Sequence, residues 1–183
     1  MDKKYKLTEE TINVDGRTLY RIEALKDFGV VEKGDKGGFV EKENNLSQSG
    51  DCWVYGNVKV YDNAVVSGNA EVFGNAVVYG NAEVFGNAII YGDVIVYNNA
   101  RIYGYAFVYG DAEVCGNAVV YGDAKVHGNA VIRDNAEVYG CARVCNDAEV
   151  CDNAELFDNA IVCGDVKVYG NAVICGNTKV CDD

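Results

Sequence analysis

Asn75-Ala76-Val77-Val78-Tyr79-Gly80-Asn81-Ala82-Glu83-Val84-Phe85-Gly86 is one six-residue phrase written twice. Extended in both directions, the phrase fills Asp51 to Asp182 as 22 hexads without an insertion or deletion. Place four is Val, Ile or Leu throughout. Place two is Ala in most hexads, with Cys52, Val58, Val94, Val166 and Thr178 as the variants, and place six is only Gly, Asn or Asp. A fixed period held for this long is the signature of a stacked repeat architecture.

The hexad carries its own folding instructions. Apolar places two and four alternate with polar or aromatic places three and five, the period-two pattern of a short strand with one buried face. Gly, Asn or Asp at place six, followed by Asn or Asp at place one, supplies a corner, because these residues tolerate positive φ and bond to nearby backbone. A strand this short builds no core alone. Three hexads close a triangular coil of eighteen residues, and stacked coils bury the Ala and Val side chains in one column. The expected fold is all-β, a parallel β-helix of about seven coils and roughly 35 Å at the inter-strand spacing of about 4.8 Å.

The Val-x-Gly-Asn-Ala rhythm resembles the hexapeptide-repeat family, and that resemblance implies a left-handed solenoid; the general preference for right-handed crossovers points the other way. A second block, Leu19-Tyr20-Arg21-Ile22, Gly37-Gly38-Phe39-Val40, Asn45-Leu46-Ser47 and Cys52-Trp53-Val54, is similar to the start of YdcK-like proteins. Those are classed as transferases, without a settled activity, and occur in bacteria and prophages.

Residues 1–50 are not repetitive and are expected to cap the helix of residues 51–183. Ile12-Asn13-Val14 and Thr18-Leu19-Tyr20-Arg21-Ile22 flank Asp15-Gly16, a hairpin signal. The cap covers strand edges that the first coil would otherwise leave open. Gly34-Asp35-Lys36-Gly37-Gly38 lacks the spacing and following helix of a phosphate loop and reads as a turn.

The formal net charge is -12, proline is absent, and no apolar run reaches the length of a membrane span. Met1-Asp2-Lys3-Lys4-Tyr5-Lys6 lacks the apolar stretch of a signal peptide. These features predict a cytoplasmic protein of a bacterium or phage-infected cell, with no membrane partner. The acidity argues against direct nucleic-acid binding and for a protein partner with a basic surface.

Residues eighteen apart share a column. On one face, place five reads Tyr55, Phe73, Tyr91, Tyr109, His127, Cys145, Cys163, Cys181, and place three reads Trp53, Glu71, Ile89, Phe107, Lys125, Arg143, Ile161, Lys179. Aromatics at place five on all three faces fit stacked ladders, worth roughly 0.2–1 kcal/mol per pair. The first face adds Trp53, Ile89 and Phe107 to Tyr55, Phe73, Tyr91 and Tyr109, a patch of the kind that marks an interface. One corner gathers Asp93, Asp111, Asp147, Asp165 and Asp183, with Asn129 among them. Asp there serves as a turn former, or as an acidic edge toward a basic partner.

The eight cysteines contain no Cys-x-x-Cys pair, so no zinc knuckle is expected. Cys145, Cys163 and Cys181 stack closely enough for a disulfide, and in a reducing compartment they stay thiols. The acyltransferases of the hexapeptide family use a histidine base, an extruded loop and a groove for the acyl carrier. This chain has one histidine, His127, and no inserted loop. The family's zinc enzymes need three histidine ligands, which do not exist here. No catalytic residue, metal or cofactor is therefore assigned.

Three functions follow. The sequence favours a non-catalytic protein-binding scaffold, in its sharpest form a phage- or prophage-encoded inhibitor of a host defence protein such as a nuclease. The alternatives are an acyltransferase-like enzyme with its site at a subunit junction near His127, and an end-to-end structural polymer. A homodimer through abutting ends fits closed symmetry.

Overall fold

The computed structural model describes residues 3–182. The chain opens with an antiparallel hairpin of β1 (Tyr5–Val14) and β2 (Arg17–Ala24). Its two-residue turn, Asp15-Gly16, has φ of 51° and 82°, the positive values that a tight hairpin requires. A third strand, β3 (Lys36–Val40), pairs antiparallel with β2 and parallel with Lys59–Val60. The hairpin thus continues one sheet of the solenoid and covers its first edge.

Stacking reaches back beyond the hexads. Val40 lies in register with Val60, and Leu46 bridges Val66. These offsets are two residues longer than the eighteen of the regular coils. The surplus is taken up between Ser47, whose amide bonds to the Val66 carbonyl, and Trp53, which pairs with Glu71 at eighteen. Before it, a short 3-10 turn at Glu43–Asn45 makes a corner where Asn45 is buried and donates to the Ala64 carbonyl at 2.8 Å.

From Trp53 on, the chain is a parallel β-helix with three faces. The first face has eight strands, Trp53–Val54 to Lys179–Cys181. The second is the ten-stranded sheet that includes the cap, and the third has seven strands. Each strand pairs with the one a coil away at an offset of eighteen, as in Ile89↔Phe107 and Lys125↔Arg143.

Places two and four point inward. From Cys52 to Val162 every such residue is fully buried, and Ala and Val form one uninterrupted core. Fully burying a Val side chain contributes about 1.5–3 kcal/mol, which is how two-residue strands become stable in a stack. In the final coils Val166, Ala172, Ile174 and Val180 are only partly buried.

The corners follow the turn chemistry. Gly at place six takes positive φ, and Asp62, Asn98, Asp134, Asn146, Asp152 and Asp158 adopt φ of 58–62° there. Asp gains a bond that Gly cannot make: the Asp152 and Asp158 carboxylates accept from the Gly170 and Gly176 amides one coil on, at 2.9 and 3.2 Å. Asn at place one forms side-chain ladders. The longest runs Asn63, Asn81, Asn99, Asn117, Asn135, Asn153, Asn171, each Nδ2 donating to the next Oδ1 at 2.9–3.2 Å.

Candidate functional site

The first face departs most from the regular pattern. Four of its strands, Glu71–Gly74, Ile89–Gly92, Phe107–Gly110 and Lys125–Gly128, run four residues where most others run two. They keep pairing through place six, as in Gly74, Gly92, Gly110 and Gly128.

Trp53 does not belong to this surface. It is fully buried, with Tyr5 and Phe28 of the cap packed edge-on against its ring at centroid distances of 6.1 and 5.4 Å. The expectation of an exposed interface anchor at Trp53 is thereby corrected: the cap folds over it. Beside it, Lys4 is buried as well, donating from Nζ to the Cys52 carbonyl at 2.9 Å and to Cys52 Sγ at 3.3 Å. Burial lowers the Lys4 pKa against the opposing pull of Cys52 and Asp51. An open depression of about 730 Å³ lies there, lined by Lys4, Lys26, Phe28, Gln48 and Asp51.

Tyr55 and Phe73 stack at 4.3 Å and are half-buried. The ladder then breaks. Phe73 and Tyr91 are tilted by 53° at 6.4 Å, whereas Phe107 stacks on Tyr109 of its own strand at 4.6 Å, with His127 against Tyr109 at 4.7 Å. Tyr109 is stacked by Phe107 and His127 and forms no ring pair with Tyr91, the neighbour a regular ladder would give it. Tyr91 is left 58% exposed, with Ile89 at 38%, Tyr105 at 68% on the preceding corner and Ile95 at 38% across the following one. The structure therefore gathers Ile89, Tyr91, Phe107 and Tyr109, adds Tyr105 and Ile95, and keeps Tyr55 and Phe73 within the ladder.

The other two faces lack this disorder of the stack. Tyr61, Tyr79 and Tyr97 stack at 5.1 Å on one, and Phe85, Tyr103, Tyr121, Tyr139 and Phe157 at 4.8–5.0 Å on the other. Stacked rings cover each other's faces and present only edges outward.

Asp93, Asp111, Asp147 and Asp165 are exposed along one corner; Asp183 lies outside the described residues. Asp93 and Asp147 accept from Asn75 and Asn129 at 2.8 and 2.7 Å, so these carboxylates also extend the amide ladder. Asp93 and Asp111 border the Tyr91 patch directly.

His127 lies on the same face. Its Nε2 is buried and has no hydrogen-bond partner. Burial, then Arg143, then Lys125 lower its pKa, so the ring is neutral at neutral pH. The hexads run past it without insertion, so no loop overhangs it. On the second face Asp134, Cys151 and Asp152 bring ligand-type atoms within 4.8 Å of one another. Arg133 already engages Asp134 and Glu149 there, and Lys167 engages Glu149, while Asp152 accepts from the Gly170 amide. At the end of the first face Cys163 and Cys181 are joined as a disulfide, with Cα atoms 4.7 Å apart, against the thiols expected from the sequence, while Cys145 one coil earlier is free.

Repeat, register and inward Ala-Val column define a hexapeptide-repeat parallel β-helix protein. No family model matches the chain. A stretch of 74 residues is 36% identical to the uncharacterized acetyltransferase YdcK of Escherichia coli (strain K12). That match covers 36% of this chain and 23% of the relative.

Proposed function

We propose that the solenoid is a protein-binding scaffold whose docking surface centres on Tyr91. The observation that carries this reading is the Tyr91 ring, tilted off Phe73 and exposed with Ile89 and Tyr105 in the middle of the solenoid, away from the exposed Tyr169 and Val173 of the last coils. Tyr side chains offer large, rigid contact area and serve as interface anchors. Asp93 and Asp111 rim the patch, which fits a partner presenting an apolar projection within a basic surround. A protein that handles nucleic acid has such a surface, and a chain of net charge -12 competes for it. An inhibitor encoded by a phage or prophage is the sharpest form of this reading.

Native mass spectrometry after gentle affinity capture from a bacterial lysate tests it, with Ile89→Asp and Tyr91→Ala beside the parent chain. The expected result is a stoichiometric partner that both variants lose while remaining folded. A parent chain that emerges alone, or only as copies of itself, overturns the reading.

A second reading rests on His127. A neutral imidazole with an unpartnered Nε2 is the form that a general base requires. With the similarity to a protein named as an acetyltransferase, it supports acyl transfer to an amine or hydroxyl. Acetyl transfer from acetyl-CoA that His127→Ala abolishes is the expected outcome; activity unchanged in that variant removes this reading.

A further inference from the structure

Beyond the Tyr91 patch, the first face turns basic. Lys125, Arg143 and Lys179 fall in one place-three column, with Ile161 between the last two. Lys125 and Arg143 face each other in register on adjacent parallel strands, an arrangement that is unfavourable unless something compensates it. Among the described residues none of the three makes an ion pair, while Arg101, Arg133 and Lys167 elsewhere in the repeat each hold a carboxylate. Eight of the chain's 16 Lys and Arg make no ion pair among the described residues, Lys59 of the repeat included, so a missing partner is ordinary here. Lys125 and Arg143 are set apart as the one pair of cations in register on neighbouring strands of the described repeat. The opposite case, Glu137 in register with Glu155, carries no such information, because surplus acids must go unpaired.

His127 adds a second, independent feature. It follows Lys125 by two residues in the same strand, stacks on Tyr109, and has its buried Nε2 without a partner. Tyr109 before it and Cys145 after it in the column supply no counter-charge. Two cationic heads on strands about 4.8 Å apart are spanned by one tetrahedral dianion, with the guanidinium fork binding two oxygens and the ammonium a third. In the Nε2–H tautomer, and with the side chains that cover Nε2 turned aside, the ring supplies one more donor.

We infer that Lys125, Arg143 and His127 form a binding site for a phosphate group, carried by a small phosphate monoester or by free phosphate. The site adjoins the Tyr91 surface through Phe107 and Tyr109 and shares His127 with the acyl-transfer reading, which needs Nε2 without its proton where phosphate binding needs Nε2–H. Phe107 and Tyr109, next to it on the N-terminal side, would contact the organic part of a monoester.

The chain's one histidine gives an unambiguous NMR reporter. At mildly alkaline pH the His127 ring resonances are followed as inorganic phosphate is added, with sodium chloride at matched ionic strength as control. The expected result is a saturable shift in phosphate alone. In Lys125→Ala/Arg143→Ala the apparent affinity falls at least about tenfold, with the backbone spectrum otherwise retained. An equal shift in chloride means screening only and overturns the site, as does a phosphate response that survives in the double variant. Phenyl phosphate separates the two sources: tighter binding than phosphate assigns a monoester, and equal binding assigns the free anion.

Discussion

The Phe107 ring rests on the Tyr109 ring of its own strand, with centroids 4.6 Å apart, and this internal stack falls where the first-face ladder breaks between Tyr91 and Tyr109. Phe107→Ala should uncover Tyr109 and let Tyr91 stack on it. Ring-current shifts and nuclear Overhauser contacts between Tyr91 and Tyr109 would report the change. Partner capture should weaken in the same variant even though Tyr91 is untouched.

Trp53 ties the cap to the first coil. Truncation of a buried aromatic costs about 3–5 kcal/mol, and Trp53→Ala removes the surface on which Tyr5 and Phe28 pack. Hydrogen exchange should rise in β1 and β2 first, with the middle coils protected as before. Because Trp53 is the one tryptophan, its emission in the parent chain should be that of a buried indole and should resist iodide quenching.

Asn117 stands mid-ladder, donating to Asn135 and accepting from Asn99. Asn117→Ala removes both bonds at an exposed corner, where water replaces part of the loss, so about 1 kcal/mol is expected. Asn171→Ala ends one bond only and should cost less. Since solenoid stability is a sum of local terms, exchange of the adjoining corner amides is a better measure than a global midpoint.

Acidification tests the environment of His127. Its pKa in the folded chain lies below the ordinary histidine value, so the unfolded chain binds the proton more readily. The stabilisation is complete above about pH 6.5 and is lost as pH falls through the folded-state value. His127→Gln should flatten that part of the stability curve. Lys125→Ala or Arg143→Ala should raise the His127 pKa, since each removes a repelling cation.

Reduction of the Cys163–Cys181 disulfide should free the final first-face strand, Lys179–Cys181. A bridge closing a loop of this length contributes about 3 kcal/mol in the chain-entropy account. Faster exchange confined to the last coil is the expected signature, and Cys181→Ser should reproduce it without reductant.

Much of this was readable in the hexad. Ala and Val at alternate places, with Gly, Asn or Asp at the corner, specify strand, face and turn locally, and a period of eighteen carries those assignments along the chain. Trp53 escaped that reading because its cover comes from Tyr5 and Phe28, 48 and 25 residues earlier in non-repetitive sequence. The Tyr91 displacement had a signal in the hexad Tyr105-Ala106-Phe107-Val108-Tyr109-Gly110, which places aromatics at both three and five. Column listing placed Lys125, Arg143 and His127 together. Only placed side chains show which of them lack partners.

The uninterrupted eighteen-residue offset between stacked residues also governs how this chain can change length. Excising one hexad would rotate everything downstream by a third of a turn, so Tyr, Lys and Asp columns would each continue on the wrong face and the Asn63-to-Asn171 ladder would be cut. Excising a whole coil would leave every column straight and only shorten it. Growth and loss in this architecture are therefore quantised: the surface pattern survives whole-coil steps and is scrambled by anything smaller.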